Sequence, residues 1–310
     1  MCAVVVLLLL LVWPAAAGDD QKIAYSGRTF GGDPLPIFDK GYLLFLSSDS
    51  NLTVYSPGGM RVSDPIVLDP YGRKVGSVDS AAIDTSGTLA VAVAYWTPQI
   101  ARGGIAFLDA SGNQTRFVPM DGLFQPAQVC FDQNHFLLVF GWHRDGERGA
   151  PEEPKDPYLV RKLSIDGKEM GRYLLRSQFG SPFYSSRGLW QVCAAKDRIG
   201  ALAQRVGAHP ELIELDLEGR LIGHWPLGKR SNGGYAYTSD GRLFAKRFAK
   251  SGVRELVEFD RNTGAWIAVE DVSAKAGEDF QYGLLLGAEG NQLVFADGPG
   301  QRLLWAPAAP

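Results

Sequence analysis

An all-β ring of six four-stranded blades is the fold this sequence predicts, on three observations. A short phrase recurs six times: an alternating apolar strand ending in a large residue, then Asp or Ser, then usually Gly. It reads LTVYSPG from Leu52, IAFLDASG from Ile105, VRKLSIDG from Val160, LIELDLEG from Leu212, LVEFDRNTG from Leu256 and RLLWAP from Arg302. The anchors Tyr55, Leu108, Leu163, Leu215, Phe259 and Trp305 stand 53, 55, 52, 44 and 46 residues apart, the period of a β-propeller blade. A second phrase precedes the first in every copy, at Ile37-Phe38-Asp39, Ala82-Ile83-Asp84, Cys130-Phe131-Asp132, Cys193-Ala194-Ala195, Ala236-Tyr237-Thr238 and Leu285-Leu286-Gly287. Finally, 37 Gly and 18 Pro interrupt the chain so often that no stretch past the N-terminus reads as a long amphipathic helix.

The elements follow in order. Met1 to Ala17 carries no charge, is apolar from Cys2 to Trp13 and ends Ala15-Ala16-Ala17 before Gly18. That fits a secretory leader with a small-residue cleavage site, and it is too short to span a bilayer. The expected organisation is therefore a signal peptide over 1–17 and a single propeller domain over 18–310, secreted or periplasmic, with no integral membrane domain. Within each blade the second phrase ends an inner strand A. Strands B follow at Tyr42 to Ser47, Leu89 to Tyr95, Phe136 to Gly141, Ile199 to Gln204, Leu243 to Phe248 and Gln292 to Ala296, rich in Leu, Val and Phe as strands buried between blades should be. The opening phrase is strand C, and strand D follows its turn, as at Gln114 to Pro119 and Leu221 to Pro226. The sixth blade shows no strand D before Pro310, so Lys22 to Phe30 is expected to return beside Leu303 to Trp305 and close the ring, covering an otherwise open edge.

The net charge is -3, without a basic surplus or an acidic block, which argues against a nucleic acid partner. Basic residues within Arg61 to Lys74 and Lys229 to Arg254 are mixed with Asp and Glu and read as solvated loop faces. Asn51 and Asn113 head glycosylation sequons that matter only in a glycosylating host. Asp84, Asp109, Asp216 and Asp260 sit in Asp-Gly turns. Asp caps such turns through its own backbone, and Gly supplies the positive φ, so these are structural turns rather than calcium loops. Cys130 and Cys193 hold the same inner-strand position in consecutive blades and so do not face each other. Both read as small buried apolar residues.

Leu293 to Trp305 (LVFADGPGQRLLW) resembles the NHL-type repeat, in which a strand ending Val-Ala-Asp is followed by a short loop, Arg and an apolar strand. More broadly, the chain is similar to six-bladed propellers that include lactonases resembling gluconolactonase, lyases and binding modules. The resemblance implies the propeller fold and an extracytoplasmic setting. It leaves the function open.

In a propeller the D-to-A and B-to-C loops share one face. The longest excursion there is Trp142 to Pro157 (WHRDGERGAPEEPKDP), which stretches the interval from Asp132 to Ala195 to 63 residues. Such a charged, Pro-rich loop suits a lid or a partner contact. The same face is expected to gather Trp96, Trp142, Arg144, Tyr184 and Arg205 with Arg102, Phe124 and Phe183, an aromatic and mildly basic rim. Aromatic faces and guanidinium groups suit a sugar, a peptide or an anionic small molecule. Trp190, Trp225 and Trp266 read as packing residues. Inner strands offer Asp79, Ser80, Gln128, Gln191, Tyr235 and Gln281 to the channel. Gln128 and Gln191 stand two residues before Cys130 and Cys193, a pair of amides able to bond a ligand. Lactonase-like propellers hold calcium with channel carboxylates and Asn, and here Asp79 is the one convincing carboxylate. No metal site or cofactor is therefore expected, and Ca2+ belongs to the enzyme reading alone.

Three functions remain. The leading one is a binding module for a small molecule, carbohydrate or protein, acting through the face around 142–157. The alternative is a lactonase-like hydrolase or lyase at the channel mouth, using Asp79 with His143 or His209, the two histidines placed on that face. The third is a mainly structural envelope protein.

Overall fold

The computed structural model of the protein describes residues 21–22, 37–46, 51–57, 60–122, 124–143, 158–179, 189–195, 197–204, 210–228, 234–248, 254–270, 283–297 and 302–308. These residues form six antiparallel four-stranded sheets arranged as a six-bladed β-propeller. Blade one comprises Ile37–Asp39, Tyr42–Leu46, Leu52–Tyr55 and Arg61–Ser63. Blade two comprises Ser77–Ile83, Leu89–Trp96, Ala101–Leu108 and Gln114–Pro119. Blade three comprises Phe124–Phe131, Leu137–His143, Tyr158–Leu163 and Glu169–Leu175. Blade four comprises Leu189–Ala194, Arg198–Gln204, Pro210–Asp216 and Leu221–Pro226. Blade five comprises Tyr235–Tyr237, Leu243–Phe248, Arg254–Asp260 and Ala265–Ala268. Blade six comprises Leu284–Glu289, Gln292–Ala296 and Arg302–Pro307. Its fourth strand is Gln21–Lys22, paired antiparallel with Leu303 and Arg302. The expected partner residues from Ile23 to Phe30 lie outside the described residues, as does the leader.

Each strand alternates its side chains across a sheet whose two faces both meet a neighbouring blade, so the hydrophobic core is divided among the interfaces. Six clusters of buried residues result, one for each junction. Leu44, Val54, Val91 and Val93 join blades one and two, and Phe107, Phe124, Val129 and Val139 join two and three. Phe140, Val160, Ile199 and Ile213 join three and four, and Leu212, Tyr235, Leu243 and Phe259 join four and five. Phe244, Leu256, Leu285 and Phe295 join five and six, and Phe38, Leu43, Val294 and Leu303 join six and one. Trp225 and Trp266 pack against the cluster between four and five, and Cys130 is buried between three and four. The side chains of Trp190 and Cys193 are outside the described set.

Consecutive antiparallel strands put the A-to-B and C-to-D turns at one end of every blade, the hairpin face, and the B-to-C and D-to-A connections at the other, the rim face. On the hairpin face the Asp residues act on backbone, as their turn chemistry requires. Asp84 Oδ1 accepts the N–H groups of Ser86 and Thr88 at 2.9 and 2.8 Å, and Asp132 Oδ1 those of Asn134 and Phe136 at 2.8 and 2.9 Å. Asp109 Oδ1 accepts those of Ser111 and Asn113, Asp216 Oδ1 those of Glu218 and Arg220, and Asp260 Oδ1 that of Asn262. Hydrogen bonds from Asn113 hold the Asp109 carboxyl below its ordinary value, and those from Thr263 and Asn262 do the same for Asp260.

Near this face, polar links also tie blade to blade. Lys40 Nζ donates to the Ile83 carbonyl at 2.8 Å, and the Ile83 N–H donates to Asp39 Oδ2 at 2.9 Å. Lys162 Nζ reaches the Leu217 carbonyl at 3.1 Å, and the Ser239 N–H the Gly290 carbonyl at 2.9 Å. Between blades four and five, Glu214 is fully buried. It accepts from Tyr237 Oη, from Arg261 Nε at 2.9 Å to each oxygen, and from Arg198 Nη1 at 3.4 Å. Removing the carboxylate takes a counter-ion from Arg261 and an acceptor from the Tyr237 phenol, while Arg198 keeps Asp197 at 2.9 and 3.0 Å. Glu214→Ala is expected to lower stability by about 3–5 kcal/mol, read as a fall in the urea midpoint at pH 7.

Candidate functional site

The inner strands share an irregularity near the rim face that the sequence pattern does not reveal. In blade two the register steps between Val78 and Ser80, so Asp79 is the extra residue of a β-bulge. Equivalent steps fall between Pro126 and Gln128 and between Leu189 and Gln191, while blade six steps nearer its hairpin turn, between Leu285 and Gly287. Ser80, Gln128 and Gln191 therefore occupy one ring position, immediately after the bulge, and the expected equivalence of the two glutamines holds in the backbone register. Ser80 Oγ donates to Gln128 Oε1 at 3.2 Å and accepts the Val129 N–H at 3.3 Å, linking the inner strands of blades two and three. The side chain of Gln191 is outside the described set.

Asp79 is half-buried and accepts from Ser77 Oγ at 3.3 Å. Burial pushes its carboxyl up to about 6, with the Ser77 hydrogen bond opposing. No second carboxylate or histidine contributes to that shift, and no group of three His, Cys, Asp or Glu able to hold a metal occurs among the described residues.

Trp96 ends strand B of blade two on the rim, 61% exposed. Gly76 makes room for it: a Cβ there would stand 3.2 Å from Trp96 Cδ1. Beside it rises the connection from blade one, a hairpin that the mixed charges of Arg61 to Lys74 had suggested was a plain solvated loop. Asp69, 5% exposed, organises it. Its Oδ1 accepts the N–H groups of Tyr71 and Arg73, each at 2.9 Å, and its Oδ2 holds Arg73 Nε at 2.9 Å and Nη2 at 2.8 Å. Burial works against the ionised Asp69, yet the Arg73 and Tyr71 hydrogen bonds together bring its carboxyl below the ordinary value. Gln114 clamps the hairpin base, accepting from the Leu68 N–H at 2.9 Å and donating to its carbonyl at 3.0 Å. Tyr71, 62% exposed, lies 4.9 Å from the Arg73 guanidinium, which also donates through Nη2 to the Trp96 carbonyl. Arg102 donates through Nη1 to the Gly122 carbonyl. Arg102 stands directly cross-strand from Tyr95, whose phenol burial raises, with Tyr71 and Asp69 adding to this and Arg102 opposing it. Tyr71, Arg73 and Asp69 are thus site residues the sequence reading missed. The Asp-Pro-Tyr-Gly turn was the signal that could have found them.

Other expectations are corrected. His143 and Trp142 are not on a loop: they end a strand B that runs to residue 143, and His143 is 9% exposed with its ring 5.4 Å from that of Phe124. Phe124 is likewise no rim aromatic. It is fully buried and carries the Arg161 guanidinium at 4.8 Å. Arg144, Tyr184, Arg205 and His209 lie outside the described residues, with Phe183 and the rest of the long loop. One further group stands out. Gln125, cross-strand from Trp142, is 4% exposed, and its Nε2 has no hydrogen-bond partner among the described residues.

No family model matches the sequence, and no curated protein does. Among solved structures, the chain is similar to a Bacteroides caccae protein of unknown function at 11% identity and TM-score 0.48, over 86% of this chain and 93% of that one. It is similar to the Pan2 WD40 domain of Neurospora crassa at 9% identity and TM-score 0.48, over 88% and 78% of the two chains. The β-propeller domain of the Trilobed protease of Pyrococcus furiosus is similar at 9% identity and TM-score 0.47, over 76% and 71%. None of these likenesses bears on what this chain binds.

Two outcomes are expected. A carboxyl whose folded-state value lies above its unfolded one weakens the fold once ionised, a penalty absent below about pH 4, growing to about pH 6 and constant beyond. Asp79→Asn should therefore stabilise the protein by up to about 3 kcal/mol at pH 8 and by little at pH 4, measured by urea unfolding at both. For the orphaned amide, Gln125→Met should raise stability by about 1 kcal/mol in thermal and urea unfolding, because a buried donor without an acceptor is lost at no packing cost.

Proposed function

We propose that the protein is a binding module that takes its ligand on the rim face of blades two and three, using Trp96, Arg73, Arg102, Gln128 and Asp79. The observation that carries this reading is the exposed indole of Trp96 beside a guanidinium fixed by a buried carboxylate. Exposed Trp and Tyr with Arg are the residue types that dominate binding energy elsewhere, and here the hairpin holds them in place before any ligand arrives. Trp142 and the neighbouring loop from 144, with Arg144, Tyr184, Gln191 and Arg205, belong to the same face in this proposal. An enzyme of the lactonase-like kind is the second reading, favoured by the raised Asp79 carboxyl. It is weakened by the lack of a paired acid or histidine for Asp79 among the described residues, since acid–base hydrolysis needs a second group in reach.

The reading includes a secreted or periplasmic location behind a leader of 1–17, supported by the uncharged apolar run, and a distant kinship with NHL-type repeats through Leu293 to Trp305. It also takes the pairing of Gln21 with Leu303 as the start of a closing strand for the last blade.

A thermal-shift screen of metabolites, glycans and peptides is expected to find a compound that raises the melting temperature of the protein and has no effect on Trp96→Ala or Gln128→Ala. Ligand protection from hydrogen exchange confined to the hairpin-face turns at 84–88 and 109–113 would sink the rim-face reading. Metal-dependent ester or lactone turnover abolished by Asp79→Ala would replace it with the enzyme.

A further inference from the structure

We infer that the ligand of the rim face is an acidic saccharide, a pyranose ring bearing a carboxylate, stacked on Trp96 and bonded through its carboxylate to the guanidinium groups of Arg73 and Arg102. This rests on the rim-face reading above and gives it a chemical class.

The donor arithmetic points to an anion. Arg73 commits Nε and Nη2 to Asp69 and to the Trp96 carbonyl, and its Nη1 makes no hydrogen bond among the described residues. Its charge is balanced by Asp69, but that of Arg102 is not. Arg102 bonds only the neutral Gly122 carbonyl, and no carboxylate pairs with it among the described residues. Asp69 thus answers the Arg73 guanidinium, and Arg102, cross-strand from Tyr95, carries a positive charge with no paired carboxylate among the described residues. A carboxylate is the group whose geometry and charge match such donors.

Ring stacking supplies the other half. Trp96 and Tyr71 each expose more than half of their surface on a protein whose remaining aromatics mostly pack between blades. Trp96 ends a central strand and is backed by Gly76, and Tyr71 is fixed by its backbone bond to Asp69, so little freedom remains to be lost on binding. An indole face suits the C–H face of a pyranose, while the sugar hydroxyls stay with water. An acidic peptide fits less well. It would need a strand edge for its own backbone, whereas this hairpin already pairs its main chain internally, Asp69 N–H to the Arg73 carbonyl at 2.7 Å and Val75 N–H to the Val67 carbonyl at 3.1 Å.

The test is isothermal titration of the purified protein with polygalacturonate, alginate and hyaluronate, with fully methyl-esterified polygalacturonate and a neutral β-glucan as comparisons. Saturable binding to at least one acidic polymer is expected, weakened tenfold or more by esterification, by Trp96→Ala and by Arg102→Gln, and falling as salt rises. Both variants should keep the parent melting temperature, because neither side chain supports the core. Arg102→Lys should recover part of the affinity, since it restores the charge without the fork. Binding to none of the three acidic polymers overturns the inference, as does equal binding of acid and ester. If a neutral saccharide or a peptide binds and is lost in Trp96→Ala, the acidic class fails while the rim-face reading stands. A ligand indifferent to every rim variant defeats both.

Discussion

Burial on both faces of every sheet is the constraint on which the rest of this structure depends. A four-stranded blade of this size cannot remove enough apolar surface from water by itself, so each must sit between two others and the series must return on itself. The six buried clusters, one per junction, express that requirement directly. The junction of blades six and one is built like the others: Phe38 and Leu43 meet Val294 and Leu303, and the Phe38 and Trp305 rings cross edge to face at 6.0 Å. That junction is therefore an apolar interface of the same kind as the other five.

That constraint divides the two ends of the ring. Blades must be held in fixed rotation, and the hairpin face does this with short turns whose carboxylates bond their own backbone and whose neighbours reach the next blade. Lys40 bonds the Ile83 carbonyl, Ser239 that on Gly290 and Lys162 that on Leu217. Glu214 gathers Tyr237, Arg261 and Arg198 in the same half of the molecule. Nearly all polar capacity at that end is committed to architecture. At the rim face the connections are longer and the inner strands bulge, so side chains there are not bound by blade geometry. The polar groups left over lie on that side: the lone carboxyl of Asp79, the amide of Gln125, and the unused donors of Arg73 and Arg102.

What could be read in advance follows the same division. Blade period, strand assignment and the role of Asp84, Asp109, Asp216 and Asp260 depend on local chemistry, an alternating strand followed by an Asx turn, and local chemistry is written in consecutive residues. The rim depends on approaches between distant segments. The sequence reading ended strand B of blade three at Gly141. In the fold it admits a neighbour, since a Cβ there would stand 2.3 Å from the Gln125 carbonyl oxygen and 2.5 Å from the Phe124 ring. The strand therefore continues to His143 and takes Trp142 and His143 inward. The bulge at Asp79 has no marker of its own in Ser77 to Ile83. The Asp69 hairpin looked like scattered charge because its order comes from one buried carboxylate and from Gln114, 46 residues away.

The cost of unmatched polar groups differs between the two ends of the ring. An ionisable group that is half-buried without a partner charge, and a buried amide donor without an acceptor, each weaken a fold that elsewhere satisfies its polar groups carefully. On the proposed reading, such groups at one end of two adjacent blades, beside an exposed Trp, are matched to a ligand rather than to the protein. On the hairpin face burial also pushes up the Asp39 carboxyl, but there Lys40 Nζ stands 3.6 Å away and the Ile83 N–H donates to it, just as Lys162 Nζ stands 3.4 Å from Asp132 Oδ2. The asymmetry between the two ends thus favours the rim as the working surface on energetic grounds independent of any likeness to other propellers.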